Sequence, residues 1–172
     1  WLMHLHPSRR FGHGESPSGH VLLLGTGSTG MPLLEDLVLT GVPVTVVDDD
    51  PGVIARLEAA GVRTVRGDAS DPAVLRRAGA DKARVVMSTI RRPRDNAALL
   101  EVARGLPVLV RVFDRDDAAW ITEHGGTPVL YSEATADAFV EWFDEEQEAL
   151  RGNLSERLAD ARSRRDRVAG TS

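Results

Sequence analysis

Cysteine is absent from the 172-residue chain. That excludes a disulfide framework and thiolate metal sites, and it suits a reducing compartment. Aromatic residues are scarce, at 5% with a single Tyr, and no apolar run approaches a membrane span, which needs roughly 20 residues. An excess of basic charge is also missing. The 21 Lys and Arg against 26 Asp and Glu leave a net charge of -5, which argues against a general nucleic-acid binder. No catalytic constellation is found. His124 precedes Gly125-Gly126 and reads as a helix C-terminal residue. His4, His6 and His13 lie in a stretch without the flanking structure of a metal site.

What the chain does contain, from His20 onward, is a regular alternation of short apolar runs and amphipathic stretches. Val21 to Leu24 reads as a buried strand, and Ser28 to Thr40 as a helix with Leu33, Leu34, Leu37 and Val38 at helical spacing. A strand over Pro43 to Val47 follows, then a helix that Asp50-Pro51 opens and Gly61 ends, then a strand over Val62 to Arg66. Ser70 or Asp71 caps a short helix through Ala78. Strands over Arg84 to Met87, Pro107 to Phe113 and Pro128 to Leu130 alternate with helices over Arg94 to Arg104 and Asp114 to His124. A last helix begins at Ser132 and runs to about Leu150. Six strands with intervening helices imply an α/β Rossmann fold, a doubly wound parallel sheet in the order 3-2-1-4-5-6 with helices on both faces.

The ends differ from this middle. Residues 1–19 read as a linker, apolar and aromatic at first and basic at Arg9-Arg10. The pattern suits the cytoplasmic flank of a membrane helix, and equally a disordered tail. The chain starts at Trp1 rather than Met, so it reads as a fragment or a processed protein. Residues 144–172 read as a charged helical tail, with Leu150, Leu154 and Leu158 forming a narrow stripe, Gly152-Asn153 a break and Ser155 a second cap. It is either a solvated terminal helix or a docking helix.

Gly25-Thr26-Gly27-Ser28-Thr29-Gly30 has the G-x-G-x-x-G pattern, directly after a strand and directly before a helix. The first glycine permits the turn, the second lets a phosphate approach the backbone, and the third lets the helix pack on the sheet; the helix's first amides then face the phosphate. Asp48 ends the second strand, 18 residues after Gly30, where a carboxylate can accept from ribose hydroxyls. Asp49 and Asp50 follow it without a neighbouring Arg, which disfavours the 2'-phosphate of NADP. Asp50 is better placed as a helix cap. Asp68 follows the third strand, near the expected adenine end, or else is a turn residue. Ser88 and Thr89 end the fourth strand at the switch point of the sheet. Arg91, Arg92 and Arg94 come next, as phosphate partners or as a solvated loop. Arg111 lies within the fifth strand, where it is expected to pair with a carboxylate such as Asp114 or to reach the sheet edge.

These segments resemble the regulatory domain of potassium transport proteins, the RCK or KTN domain, also called the TrkA N-terminal domain. The resemblance is carried by HVLLLGTGSTG, VTVVDDDP, VRGDASDPAVLRRAGADKARVVMST, LVRVFDRDDA and HGGTPVLYSEATADAF, across residues 20–143. It implies a domain that binds AMP, NAD(H) or ATP/ADP, dimerises, and gates an attached cation transporter at the cytoplasmic face of the membrane. Gly25, Gly27, Gly30, Asp48, Asp68, Ala69 and Thr89 would then line the nucleotide site, with Thr26, Ser28, Thr29, Asp49, Ser88 and Arg91 beside them. The linker is similar to that of Kef-type cation/proton antiporters. Two rival expectations are an NAD-dependent oxidoreductase fragment and a dimerisation module with a vestigial site.

Overall fold

The computed structural model describes residues 18–141 together with 143, 145 and 147. The expectations for the linker (His4, His6, Arg9, Arg10, His13) and for the tail beyond residue 147 lie outside the described residues. Two compact units divide between Tyr131 and Ser132. In the first, six strands form one sheet: β1 (Val21–Leu24), β2 (Val44–Asp48), β3 (Arg63–Arg66), β4 (Val85–Ser88), β5 (Val108–Val112) and β6 (Thr127–Leu130). All pairings are parallel, in the order β3-β2-β1-β4-β5-β6. The expected architecture is therefore the observed one. In the second unit, the described residues from 132 to 147 are helical.

Five helices connect the strands: α1 (Gly30–Leu39), α2 (Pro51–Ala59), α3 (Pro72–Arg77), α4 (Ala97–Val102) and α5 (Arg115–Glu123). Their starts are written in the local sequence. Asp50 accepts from the amides of Gly52 and Val53, Asp71 from that of Ala73 and Asp114 from that of Asp117. Each replaces a missing intrahelical acceptor at a helix N-terminus. Gly41 and Gly61, with φ of +73° and +78°, end α1 and α2 in a conformation that a Cβ would penalise.

One element differs from expectation. The helix expected over Arg94 to Arg104 is a 3-10 turn over Pro93–Asn96 followed by the shorter α4. Asn96, fully buried, donates its side-chain amide to the Pro93 carbonyl at 2.8 Å, and this side-chain bond holds the tight turn.

Alternate residues of β1 feed opposite faces. Leu22 and Leu24 join Val47, Leu75, Val86, Leu99, Val110 and Ile121, whereas Val21 and Leu23 join Leu34, Val46 and Leu57. A central parallel strand must be apolar on both sides because helices cover both faces. At the amino end of β1, the buried His20 imidazole lies with Nε2 3.0 Å from the Ala78 carbonyl. That contact makes Nε2 the protonated nitrogen, and the buried Nδ1 has no partner among the described residues. Burial holds its pKa below the ordinary histidine value, against the Ala78 contact, and the Arg63 charge adds to the depression.

Candidate functional site

The carboxyl ends of β1 and β4 flank the point where strand order reverses, so the segments leaving them enclose a crevice. β1 leaves through Gly25, whose φ of +79° requires a residue without Cβ. The chain then passes Thr26 and reaches α1 at Gly30. A Cβ on Gly30 would stand 2.2 Å from the Gly25 carbonyl oxygen and 2.9 Å from the Thr89 hydroxyl. The third glycine of the motif is thus a packing requirement. Gly27 is the opposite case: a Cβ there would meet nothing within 4 Å. The space above it is open.

Three neighbours hold this loop. Asp48 accepts at Oδ2 from the Thr26 amide (2.9 Å) and hydroxyl (2.6 Å), and at Oδ1 from the Asp50 amide (3.0 Å). The Thr89 hydroxyl lies 3.0 Å from the Gly25 carbonyl and 3.2 Å from that of Leu24, and donates to this pair. Arg111 reaches across from β5 and donates through Nη1 to the Thr29 hydroxyl at 2.7 Å.

That last bond has an effect on α1. Thr29 occupies the N-cap position, yet its side chain makes no capping bond, and the first turn carries no acidic residue. The amides of Gly27, Ser28, Thr29 and Gly30 have no acceptor among the described residues. Four consecutive donors at the positive end of a helix dipole, beside open space over Gly27, form a cradle for an anion.

Arg111 departs from its expected pairing. Asp114 is engaged as the cap of α5, and β6 rather than β5 is the sheet edge. The guanidinium instead lies 4.9 Å from the Phe113 ring centroid and 6.0 Å from that of Tyr131. Its Nε is buried without a partner among the described residues. Desolvation lowers its pKa, Tyr131 opposes that shift, and the nearby Arg91 charge lowers it further. Arg111 was not among the expected site residues. A charged residue near the carboxyl end of a strand two places from β1 was the available signal.

The other expected residues are spread around this cradle. Asp49 is exposed in the turn after β2. Asp68 is exposed, and its Oδ1 accepts from the amide and the hydroxyl of Ser70, both at 2.8 Å. Those bonds form an Asx turn and hold its carboxyl below the usual carboxylate range. Ala69 packs against the core. Ser88 is buried, with Oγ accepting from the Ile90 amide at 3.4 Å. Arg91 and Arg92 are exposed after β4, whereas Arg94 turns to Asp117 (3.6 Å) and lies 5.7 Å from the Trp120 ring centroid. His124 caps α5 and stacks on Trp120 at 4.1 Å. No group of three or more potential metal ligands exists among the described residues. No helix among them is long and apolar enough to cross a membrane.

Comparison with known proteins places this geometry in context. The model of the TrkA-N domain matches residues 21–141. The putative cation/proton antiporter YbaL of Escherichia coli is 28% identical over 118 residues, covering 66% of this chain and 21% of the relative. The glutathione-regulated potassium-efflux protein KefC of Escherichia coli is 31% identical over 109 residues, covering 61% of this chain and 18% of the relative. The chain therefore spans about a fifth of the length of these relatives. Among solved structures, the TrkA-N domain of Escherichia coli YbaL superposes with a TM-score of 0.69 at 26% identity, covering 74% of this chain and 98% of that one. The Kef C-terminal domain of Shewanella denitrificans in its AMP-bound form gives 0.57 at 23% identity, covering 86% and 92%. The GsuK channel bound to NAD gives 0.59 at 23%, covering 74% and 24%. The last two are similar in fold.

Proposed function

Because the chain belongs to the TrkA-N domain family, we propose that it binds an adenine nucleotide at residues 25–30 and regulates a monovalent cation transporter, of the cation/proton antiporter kind, at the cytoplasmic face of the membrane. The observation that carries the binding reading is the run of four amides from Gly27 to Gly30, without an acceptor among the described residues, beneath the open space at Gly27. A phosphate group would accept from them, and the helix dipole would favour its charge. Asp48 holds the loop through Thr26 and accepts from Asp50, and its Oδ1 retains one lone pair for a ribose hydroxyl. The acidic run Asp48-Asp49-Asp50 repels a 2'-phosphate, so NADP is disfavoured. Ligands of the AMP, NAD(H) and ATP/ADP type share the adenosine and phosphate that this site addresses. The YbaL and KefC resemblance supports the transport role.

Residues 20–143 are the proposed binding domain, preceded by a linker over residues 1–19 and followed by a charged tail over residues 144–172. The domain works as a homodimer in which a nucleotide that favours one arrangement shifts the population, by no more than its difference in affinity. Regulation rather than catalysis is its role. Calorimetric titration of the chain with AMP, ADP, ATP, NAD, NADH and NADPH tests the binding. Heat with adenylates and none with NADPH is expected. Turnover of NADH with a substrate would favour an oxidoreductase instead, and silence with every ligand would leave only a dimerisation module.

A further inference from the structure

We infer that the amino edge of the sheet, on the face that α3 covers, is a basic docking surface for the anionic phospholipid headgroups of a bilayer. The inference rests on the proposed place of the domain at the cytoplasmic face of a membrane.

In a parallel sheet every strand starts, and every crossover helix ends, at the same edge. Five basic residues fall there in one sector. Arg63 opens β3, Arg76 and Arg77 close α3, Lys82 ends the 3-10 turn Ala80–Lys82, and Arg84 immediately precedes β4. Hydrogen bonds draw this sector around the start of β1. The Gly19 amide donates to the Lys82 carbonyl (2.9 Å) and the Arg84 amide to the His20 carbonyl (2.8 Å), while the His20 ring meets the carbonyl of Ala78, next after Arg77 (3.0 Å). Arg76, Arg77, Lys82 and Arg84 are exposed, and none of the four is in an ion pair among the described residues. Asp81 is the only carboxylate in these segments. Asp36 and Glu58, near the ends of α1 and α2, belong to the opposite face.

The helix dipole accounts for part of this charge, since cations suit the last turn of α3. It does not account for Lys82 and Arg84, which lie outside any α-helix. The carboxyl edge carries the opposite sign, with Asp48, Asp49, Asp50, Asp68 and Asp71 around the ends of β2 and β3 and the starts of α2 and α3. A chain of net charge -5 is thus drawn to an anionic plane by one edge and repelled at the other. None of the exposed large apolar residues lies on the segments that carry the basic rim. A protein partner is held by apolar or aromatic anchors, whereas a headgroup plane attracts by charge alone. Gly19 leads into β1 at this same edge, and the crevice at Gly25 opens at the other. Docking therefore turns the nucleotide site away from the bilayer.

The test is sedimentation of the full chain with vesicles of phosphatidylcholine, alone or mixed with phosphatidylserine. Binding to the mixed vesicles only is expected, and about 1 M salt, where the Debye length is roughly 3 Å, should release it. Arg76→Glu and Arg84→Glu should each weaken the partition about tenfold or more, since each basic residue near such a surface contributes about fivefold. Arg92→Glu makes the same change of net charge beyond the carboxyl end of β4, and it should stay within about threefold. Urea midpoints separate lost docking from lost folding, and the Gln variant, with a loss of about fivefold, replaces any Glu variant whose midpoint falls. Failure to bind the mixed vesicles, binding that survives both rim variants, or an equal loss in Arg92→Glu overturns the inference. Capture by polyglutamate without vesicle binding assigns the rim to an acidic protein segment and overturns it too. Adenylate heat in the calorimeter is independent of these outcomes, so the nucleotide site stands or falls separately.

Discussion

Replacing Gly30 by Ala should damage the fold itself, before any ligand is considered. The added methyl would sit 2.2 Å from the Gly25 carbonyl oxygen and 2.9 Å from the Thr89 hydroxyl. Neither is the far end of a flexible side chain. Gly25 is fixed by its left-handed φ, and Thr89 is buried and bonded back to Leu24 and Gly25. Relief requires α1 to move away from the sheet, which strains the core at about 1–3 kcal/mol. Breaking the Thr89 bond adds about 1 kcal/mol. Ala is favoured over Gly in helices, which returns at most about 1 kcal/mol. The net expectation is a loss of about 1–3 kcal/mol, a large share of the roughly 5–15 kcal/mol typical of a domain. Urea unfolding followed by circular dichroism should show a clearly lower midpoint at unchanged slope. A midpoint within error of the unmodified chain would refute the interlock of Gly25, Gly30 and Thr89.

Gly27→Ala makes the complementary case: with nothing within 4 Å of the new methyl, the urea midpoint should hold within about 0.5 kcal/mol, while calorimetry should show adenylate affinity reduced at least about tenfold. Asp48→Ala removes the acceptor of both the Thr26 amide and the Thr26 hydroxyl, so it should cost about 1–3 kcal/mol in urea unfolding as well as weaken binding. The ribose contact is better read from the ligand side, where 2'-deoxy-ADP should bind about tenfold more weakly than ADP to the unmodified chain if Asp48 accepts from that hydroxyl. Because the folded pKa of His20 lies below its unfolded value near 6.5, the unfolded chain takes up a proton first. Stability is then complete above about pH 6.5 and falls as pH drops through that value toward the folded pKa. Urea midpoints between pH 7.5 and 5 should flatten in His20→Gln relative to the unmodified chain, and parallel curves would count against a neutral buried imidazole.

Much of the fold was legible because its signals are local. The apolar runs, the Asp-Pro helix starts at Asp50 and Asp71, and the glycine stops at Gly41 and Gly61 each act within a few residues. Right-handed crossovers then leave few strand orders to choose from. The 3-10 turn before α4 escaped because it depends on a buried side-chain bond from Asn96 to the carbonyl of Pro93, which helical periodicity does not register. The glycines of the loop and the position of Asp48 were also readable. The partners were not. Thr26 lies 22 residues from Asp48, and Thr29 lies 82 from Arg111. Bonds of that range follow from tertiary packing rather than from spacing. The expected Arg111–Asp114 pairing failed for a local reason: the Asp114 side chain has a nearer claim in the Asp117 amide.

The turn after β1 is fastened from three sides, by Asp48 of β2, by Thr89 just past β4 and by Arg111 of β5. A segment pinned this way is a socket and not a flap. An incoming guest would surrender little ordering entropy, and its lifetime there would be governed by how fast it departs rather than by slow remodelling of the host. The same fastening makes Arg111 a strut: any tug on Thr29 is shared with Phe113, just past β5, and with Tyr131, just past β6.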